Sequence, residues 1–146
     1  MAVADFVLDN SVAMRWVLPN SGRPEAHRYA DDVLDRLVAG ATALVPDLWQ
    51  VEAASVLLKA EKKAQISAAD TERLVSFFDA LRIETQRQSN ISAVIAVART
   101  HGLSGYDAVY LELAIHSGLP LATADEGLGK AARTAGVPLY LGGAGI

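Results

Sequence analysis

Cysteine is absent from the 146 residues. That excludes disulfide staples, thiolate metal sites and a cysteine nucleophile, and it suits the reducing cytoplasm. No apolar run approaches the ~20 residues that span a bilayer. Residues 1–9 carry an acidic Asp5 and no basic n-region, so the expectation is a soluble chain without a targeting segment or a membrane partner. An excess of basic residues is missing as well. Thirteen Lys and Arg against seventeen Asp and Glu leave a formal charge of −4, which argues against a general nucleic-acid binder. The three histidines, His27, His101 and His116, lack the i, i+4 spacing of a helical metal pair. The glycines at 142, 143 and 145 precede no helix that could receive a pyrophosphate, so they form no dinucleotide fingerprint. Repeats, linkers and low-complexity tracts are lacking too.

What remains is a chain of one-domain size, residues 1–146, with 51% hydrophobic and 21% charged residues, enough apolar material for a packed core. Short β-branched runs alternate with longer amphipathic stretches, the pattern of βα units around a parallel sheet. Strands are expected at residues 5–8, 43–45, 82–84, 119–123 and 137–141. A short helix starts at Val12 and is stopped by Pro19, with turn chemistry over residues 20–24. A second helix covers about 25–38, with Gly40 as its C-terminal cap.

Pro46 and Asp47 announce a third helix reaching about Ala64, with Asp47 as N-cap and Leu48, Val51, Ser55 and Leu58 facing inward. Ser67 and Asp70 form a capping box for a helix ending at Ala80. Further helices run from Ser89 to 99–102, from Ser104 through His116, and over 126–135. The tail after Leu141 is expected to fray. The fold class that follows is α/β: a single domain with a parallel sheet of about five strands flanked by helices, whose sites form beyond the carboxyl ends of the strands.

Four acids are expected at that edge. Asp9 closes the run Phe6, Val7, Leu8, and Asp125 follows the fourth strand. Glu52 lies in the second turn of its helix and Asp107 in the first turn of its own. Like charges brought this close raise one another's pKa and resist joint ionisation, and a hard divalent cation resolves the conflict. Mg²⁺ and Mn²⁺ prefer oxygen ligands and can stabilise the attacking and leaving oxygens of phosphodiester cleavage. Two such ions would cancel the formal −4. Each acid also has an ordinary alternative. Ser104 and Asp107 have capping-box spacing, while Asp9 and Asp125 could be helix N-caps. Glu52 stands beside an apolar stripe, where a small or apolar residue is usual. Trp16 and Trp49 read as core or interface anchors, and Lys59, Lys62 and Lys63 as cations at a helix C-terminus. Glu112 and Glu126 are peripheral.

Four stretches in this order resemble the PIN-domain ribonucleases, especially the VapC-type toxins of bacterial toxin–antitoxin systems. They are Phe6 to Ser11, Leu48 to Glu52, Gly105 to Ala114 and Leu121 to Asp125, and the likeness spans nearly the whole chain. It implies a PIN fold, Mg²⁺- or Mn²⁺-dependent endoribonuclease activity, a cognate VapB-type antitoxin and a homodimer. Asp9, Glu52, Asp107 and Asp125 match the family's acidic, metal-binding site, and Ser11 and Thr123 its supporting hydroxyls. Asn10 and Gly105 depart from the common pattern without removing an acid. Two other readings use the same residues: a non-catalytic interaction module of PIN fold, and a phosphatase on a similar sheet. The aspartyl phosphatases place a second Asp two residues after the first, where this chain has Ser11.

Overall fold

A computed structural model describes residues 3–18, 22–86 and 90–145. The elements in order are β1 (Phe6–Leu8), α1 (Asn10–Val17), α2 (Pro24–Val38), β2 (Ala43–Pro46), α3 (Asp47–Lys62), α4 (Ala68–Ala80), β3 (Ile83–Gln86), α5 (Ile91–His101), α6 (Gly105–Ser117), β4 (Leu121–Ala122), α7 (Glu126–Thr134) and a 3₁₀ turn (Tyr140–Gly142). The expected stop at Pro19, the turn at Asn20 and the helix start at Ser89 lie outside the described residues.

The sheet is parallel, in the order β3-β2-β1-β4. In register, Val7 sits beside Leu44 on one side and Leu121 on the other. Phe6, Val7 and Leu8 are fully buried, because helices cover both faces and a central parallel strand must then be apolar on each. From β1 the chain builds outward to β2 and β3, then returns to lay β4 on the opposite side of β1. The reversal makes the β1/β4 border a topological switch point, and a crevice opens there beyond the carboxyl ends of the strands.

The sheet has four strands where about five were expected. The fifth segment contributes a single bridge, Leu121 to Leu139, with the Leu121 N–H donating to the Pro138 carbonyl at 2.9 Å. Pro138 has no N–H to continue a ladder, and Leu141 takes a left-handed φ of 54° before Gly142 and Gly143, so the chain curls away. The described part of the tail is tied down. Tyr140 stacks on Phe6 with ring centroids 4.0 Å apart, the Tyr29 hydroxyl donates to the Tyr140 carbonyl at 2.7 Å, and Ala144 is buried in the core. Ile146 lies outside the described residues.

The helix α3 is also rotated relative to expectation. Its buried residues are Trp49, Ala53, Leu57 and Ala60, while Val51 and Leu58 are 63% and 60% exposed. Trp49 decides this. The indole packs edge-on against Phe78, centroids 5.7 Å apart, and burying so large a ring outweighs burying a valine. Asp47 is the first helical residue, behind a Pro46 N-cap that makes no side-chain cap bond. The Ser67–Asp70 capping box on α4 forms reciprocally, at 3.0 and 2.9 Å.

Candidate active site

All four acids line one open cleft of about 490 Å³, together with Asn10, Ser11, Met14 and Arg15. Each comes from a different element. β1 delivers Asp9 at its carboxyl end, the β4–α7 junction delivers Asp125, and α3 and α6 lean Glu52 and Asp107 over the strand ends.

Asp9 stands at the N-cap position of α1 but makes no side-chain cap bond. Its Oδ2 accepts instead from the Ser11 hydroxyl at 2.6 Å and the Thr123 hydroxyl at 2.7 Å. Both hydroxyls are themselves fixed by β4–α7 backbone: Ala124 N–H donates to Ser11 Oγ at 2.9 Å and Asp125 N–H to Thr123 Oγ1 at 3.0 Å. Ser11 and Thr123 thus tie the ends of β1 and β4 into one rigid floor. Asp9 is 6% exposed, and this burial lifts its carboxyl to about 6. The two hydroxyls lower it in part, and the charges of Asp107 and Glu52 add to the rise.

Asp107 donates its backbone N–H to Ser104 Oγ at 3.2 Å, which is only the forward half of a capping box. Its half-buried carboxyl is raised by desolvation first and by Asp125 second, with Ser104 offsetting part. Asp125 does cap α7, accepting from Leu128 N–H at 2.8 Å, so the ordinary and the functional reading of this residue coexist. Glu52 Oε1 accepts from the Tyr110 hydroxyl at 2.5 Å. Tyr110 is 1% exposed, and its phenol is raised by burial and by that bond, while the Asn10 backbone N–H partly offsets the rise.

Two residues in this arrangement were not singled out from the sequence. Tyr110 follows Asp107 by three positions, on the same face of α6, a spacing that could have marked it. Arg15 follows Ser11 by four on α1, and its Nη1 donates to the Ser11 carbonyl at 2.5 Å. Burial lowers the Arg15 guanidinium first, with a further drop from Arg23, whereas Asp9 and Asp125 raise it. Glu126 is exposed and pairs with Lys130 at 3.5 Å.

The donor set suits a hard divalent cation. It is made of oxygens alone, it leaves Asp9 buried without a salt bridge among the described residues, and the buried Asn10 carboxamide oxygen beside it has no partner. Among the described residues no three acidic or histidine side chains already close on a common point. One oxygen each of Asp9, Glu52 and Asp125 is held by a protein donor.

A parallel sheet carrying an all-oxygen acidic crevice at its switch point belongs with α/β proteins that handle cations and phosphates. Residues 6–134 match the PIN domain, and the chain is a member of the PIN domain family. PIN domains are commonly metal-dependent nucleases. The crystal structure of PAE2754 from Pyrobaculum aerophilum superposes with a TM-score of 0.65 at 22% identity, over 88% of this chain and 80% of that one, a likeness of fold. No curated protein matches the chain. Among the described residues no helix is long and apolar enough to cross a membrane.

Proposed function

We propose that the chain is a metal-dependent endoribonuclease of the VapC toxin type, with Asp9, Glu52, Asp107 and Asp125 as its catalytic, metal-holding residues. The observation that carries this reading is the convergence of four carboxylates, from four separate elements, on one cleft at the switch point. Mg²⁺ or Mn²⁺ held by these acids would supply Lewis acidity toward a phosphodiester and an acidified water. The chain's own part is positioning. Ser11 and Thr123 fix the Asp9 carboxylate by one oxygen, Oδ2. Tyr110 does the same for Glu52 through Oε1. Asp107, held at the start of α6 by the Ser104 cap, presents its carboxylate to the same cleft. Neither a histidine nor a cysteine is needed.

Metal binding is testable without activity. Mg²⁺ or Mn²⁺ at about one hundred times its Kd is expected to stabilise the folded chain by about 2.7 kcal/mol, a rise of roughly 5–10 °C in Tm. Asp107→Asn should blunt that rise. An unchanged Tm in both proteins, at matched ionic strength, contradicts metal binding at these acids.

The partners of such a toxin are a homodimeric second copy and a VapB-type antitoxin, in the cytoplasm. The exposed apolar side chains of α3 and α5, with Val51 at 63% and Ile91 at 78%, offer the helical face for the dimer, and α5 buries no residue within the chain. Light scattering of the chain alone at micromolar concentration should give twice 15.4 kDa; monomer throughout would remove the dimer. The antitoxin is expected to set an arginine among the four acids, where a guanidinium satisfies two oxygens at once. Antitoxin and Mg²⁺ would then weaken each other's binding by the same factor.

A further inference from the structure

Among the described residues lining the acidic cleft, Arg15 is the one cationic side chain. It sits in the last turn of α1, where a cation is ordinary because it faces the negative end of the helix dipole. The dipole accounts for the charge at that turn. It does not account for a guanidinium drawn partly out of water beside four carboxylates.

Three observations fix its posture. Nη1 is held by the Ser11 carbonyl at 2.5 Å. Nε is buried and has no acceptor among the described residues. The backbone of Gly22 lies against the group, so that a Cβ there would stand 3.0 Å from Nη2 and 3.7 Å from Cζ and Nε. Gly22 also has a φ of +93°, a conformation open to glycine and costly for other residues. The guanidinium is thereby oriented by a carbonyl and a glycine wall, near enough to Asp9 and Asp125 to feel their charge. Neither described ion pair, Arg73–Asp70 or Lys130–Glu126, involves it. A guanidinium placed only to neutralise these acids would pair with one of them through its fork. Here no such pair forms among the described residues.

The substrate class explains the arrangement. RNA is a polyanion, and a chain of net charge −4 with an acidic cleft repels it. Divalent cations relieve the repulsion at the scissile bond, but a fixed cation is needed to set the approach of the strand. Guanidinium suits this because its planar fork matches two oxygens of one phosphate.

Resting on the nuclease reading above, we propose that Arg15 is the phosphate-binding residue of the site: its partly exposed guanidinium, the one described cation lining the cleft, takes a backbone phosphate of the RNA strand as it enters beside Gly22. Arg15 touches substrate and sets its position, while the acids act on the bond.

The test uses the full-length chain and a fluorescein-labelled, mixed-sequence single-stranded RNA of about twenty nucleotides. Binding is read by anisotropy in Mg²⁺ across a KCl series, in an Asp107→Asn background that holds the strand intact. Adding Arg15→Ala should weaken binding about tenfold and flatten the slope of log Kd against log salt by about 0.7, the share of one phosphate contact on a single strand. Arg15→Lys should restore the slope and only part of the affinity. Arg15→Gln carries the same expectation as Ala if Ala does not fold. In chains with Asp107 intact, the RNA concentration for half-maximal cleavage should rise more than the saturated rate falls. A structural role would lower the Tm and leave the salt slope alone. An unchanged slope in the Ala or Gln variant, with the parent chain binding and cutting RNA, overturns this inference by itself. A Lys variant that stays as flat as Ala also overturns it. If the parent chain neither binds nor cuts the RNA, the nuclease reading falls and this inference with it.

Discussion

Asp107→Asn is expected to abolish metal-dependent RNA cleavage, by about 10²–10⁴-fold, while leaving the fold intact. The amide keeps the shape of the carboxylate and loses its charge, so an anionic ligand for a hard cation disappears. The fold has little reason to change. The bond that caps α6 runs from the Asp107 backbone N–H to Ser104 Oγ and survives the substitution. Asp9→Asn should fail in the same way. Circular dichroism with a cleavage time course checks both. Wild-type rates in both variants would place the chemistry elsewhere.

The second large effect runs in the opposite direction and concerns stability in the absence of metal. Asp9 is buried, and its carboxyl is lifted from the ordinary 3.8 to about 6. Below about pH 4 it is protonated in both folded and unfolded chains and contributes no difference. Between 4 and 6 the folded chain holds the proton more tightly, so stability falls as pH rises through that window. Above 6 the full cost remains, on the order of 3 kcal/mol by the unit conversion for a shift of this size. Asn at position 9 carries no charge to desolvate, and its amide oxygen can still accept from Ser11 and Thr123. In EDTA, Asp9→Asn should therefore match the wild type near pH 4 and exceed it by up to about 3 kcal/mol at pH 7. Urea unfolding of both chains across that range measures the difference. Curves that stay parallel from pH 4 to 7 would show that Asp9 is not a desolvated carboxylate. Excess Mg²⁺ should close the gap by stabilising the wild type alone. A destabilised acidic cluster of this kind fits strain kept at a functional site.

The parallel sheet was legible because its strands are short apolar runs that only a doubly covered sheet explains, Phe6-Val7-Leu8 above all. That the four acids line one cleft was legible from their positions at strand ends and in first or second helical turns. Local capping chemistry pointed the right way and was incomplete. Ser104 and Asp107 have the same spacing as Ser67 and Asp70, yet the box closes at α4 and only its forward half forms at α6. Whether a carboxyl turns back to its cap or out to a cleft depends on what lies across from it, which spacing does not contain.

The failures have the same origin. α3 was rotated wrongly because Ala53 and Ala60 carry little pattern signal, and the facing Phe78 that fixes Trp49 comes from a distant part of the chain. The fifth strand was lost to Pro138 and the left-handed Leu141. Arg15 and Tyr110 were not singled out, and by position alone they are a helix-end cation and a core aromatic. Each description is correct as far as it goes. Their second roles arise from packing across elements: α1 turns Arg15 toward Asp9 and Asp125, and α6 sets the Tyr110 hydroxyl against Glu52.

The most direct test of the central claim is cleavage of total RNA by the purified chain, free of any antitoxin, as Mg²⁺ or Mn²⁺ is titrated in and then chelated. Discrete cuts that appear with the metal, vanish with EDTA and are absent from Asp107→Asn prepared in parallel are the predicted result. Intact RNA at every metal concentration, from a chain whose Tm shows that it is folded, or cutting that survives both EDTA and Asp107→Asn, would contradict it.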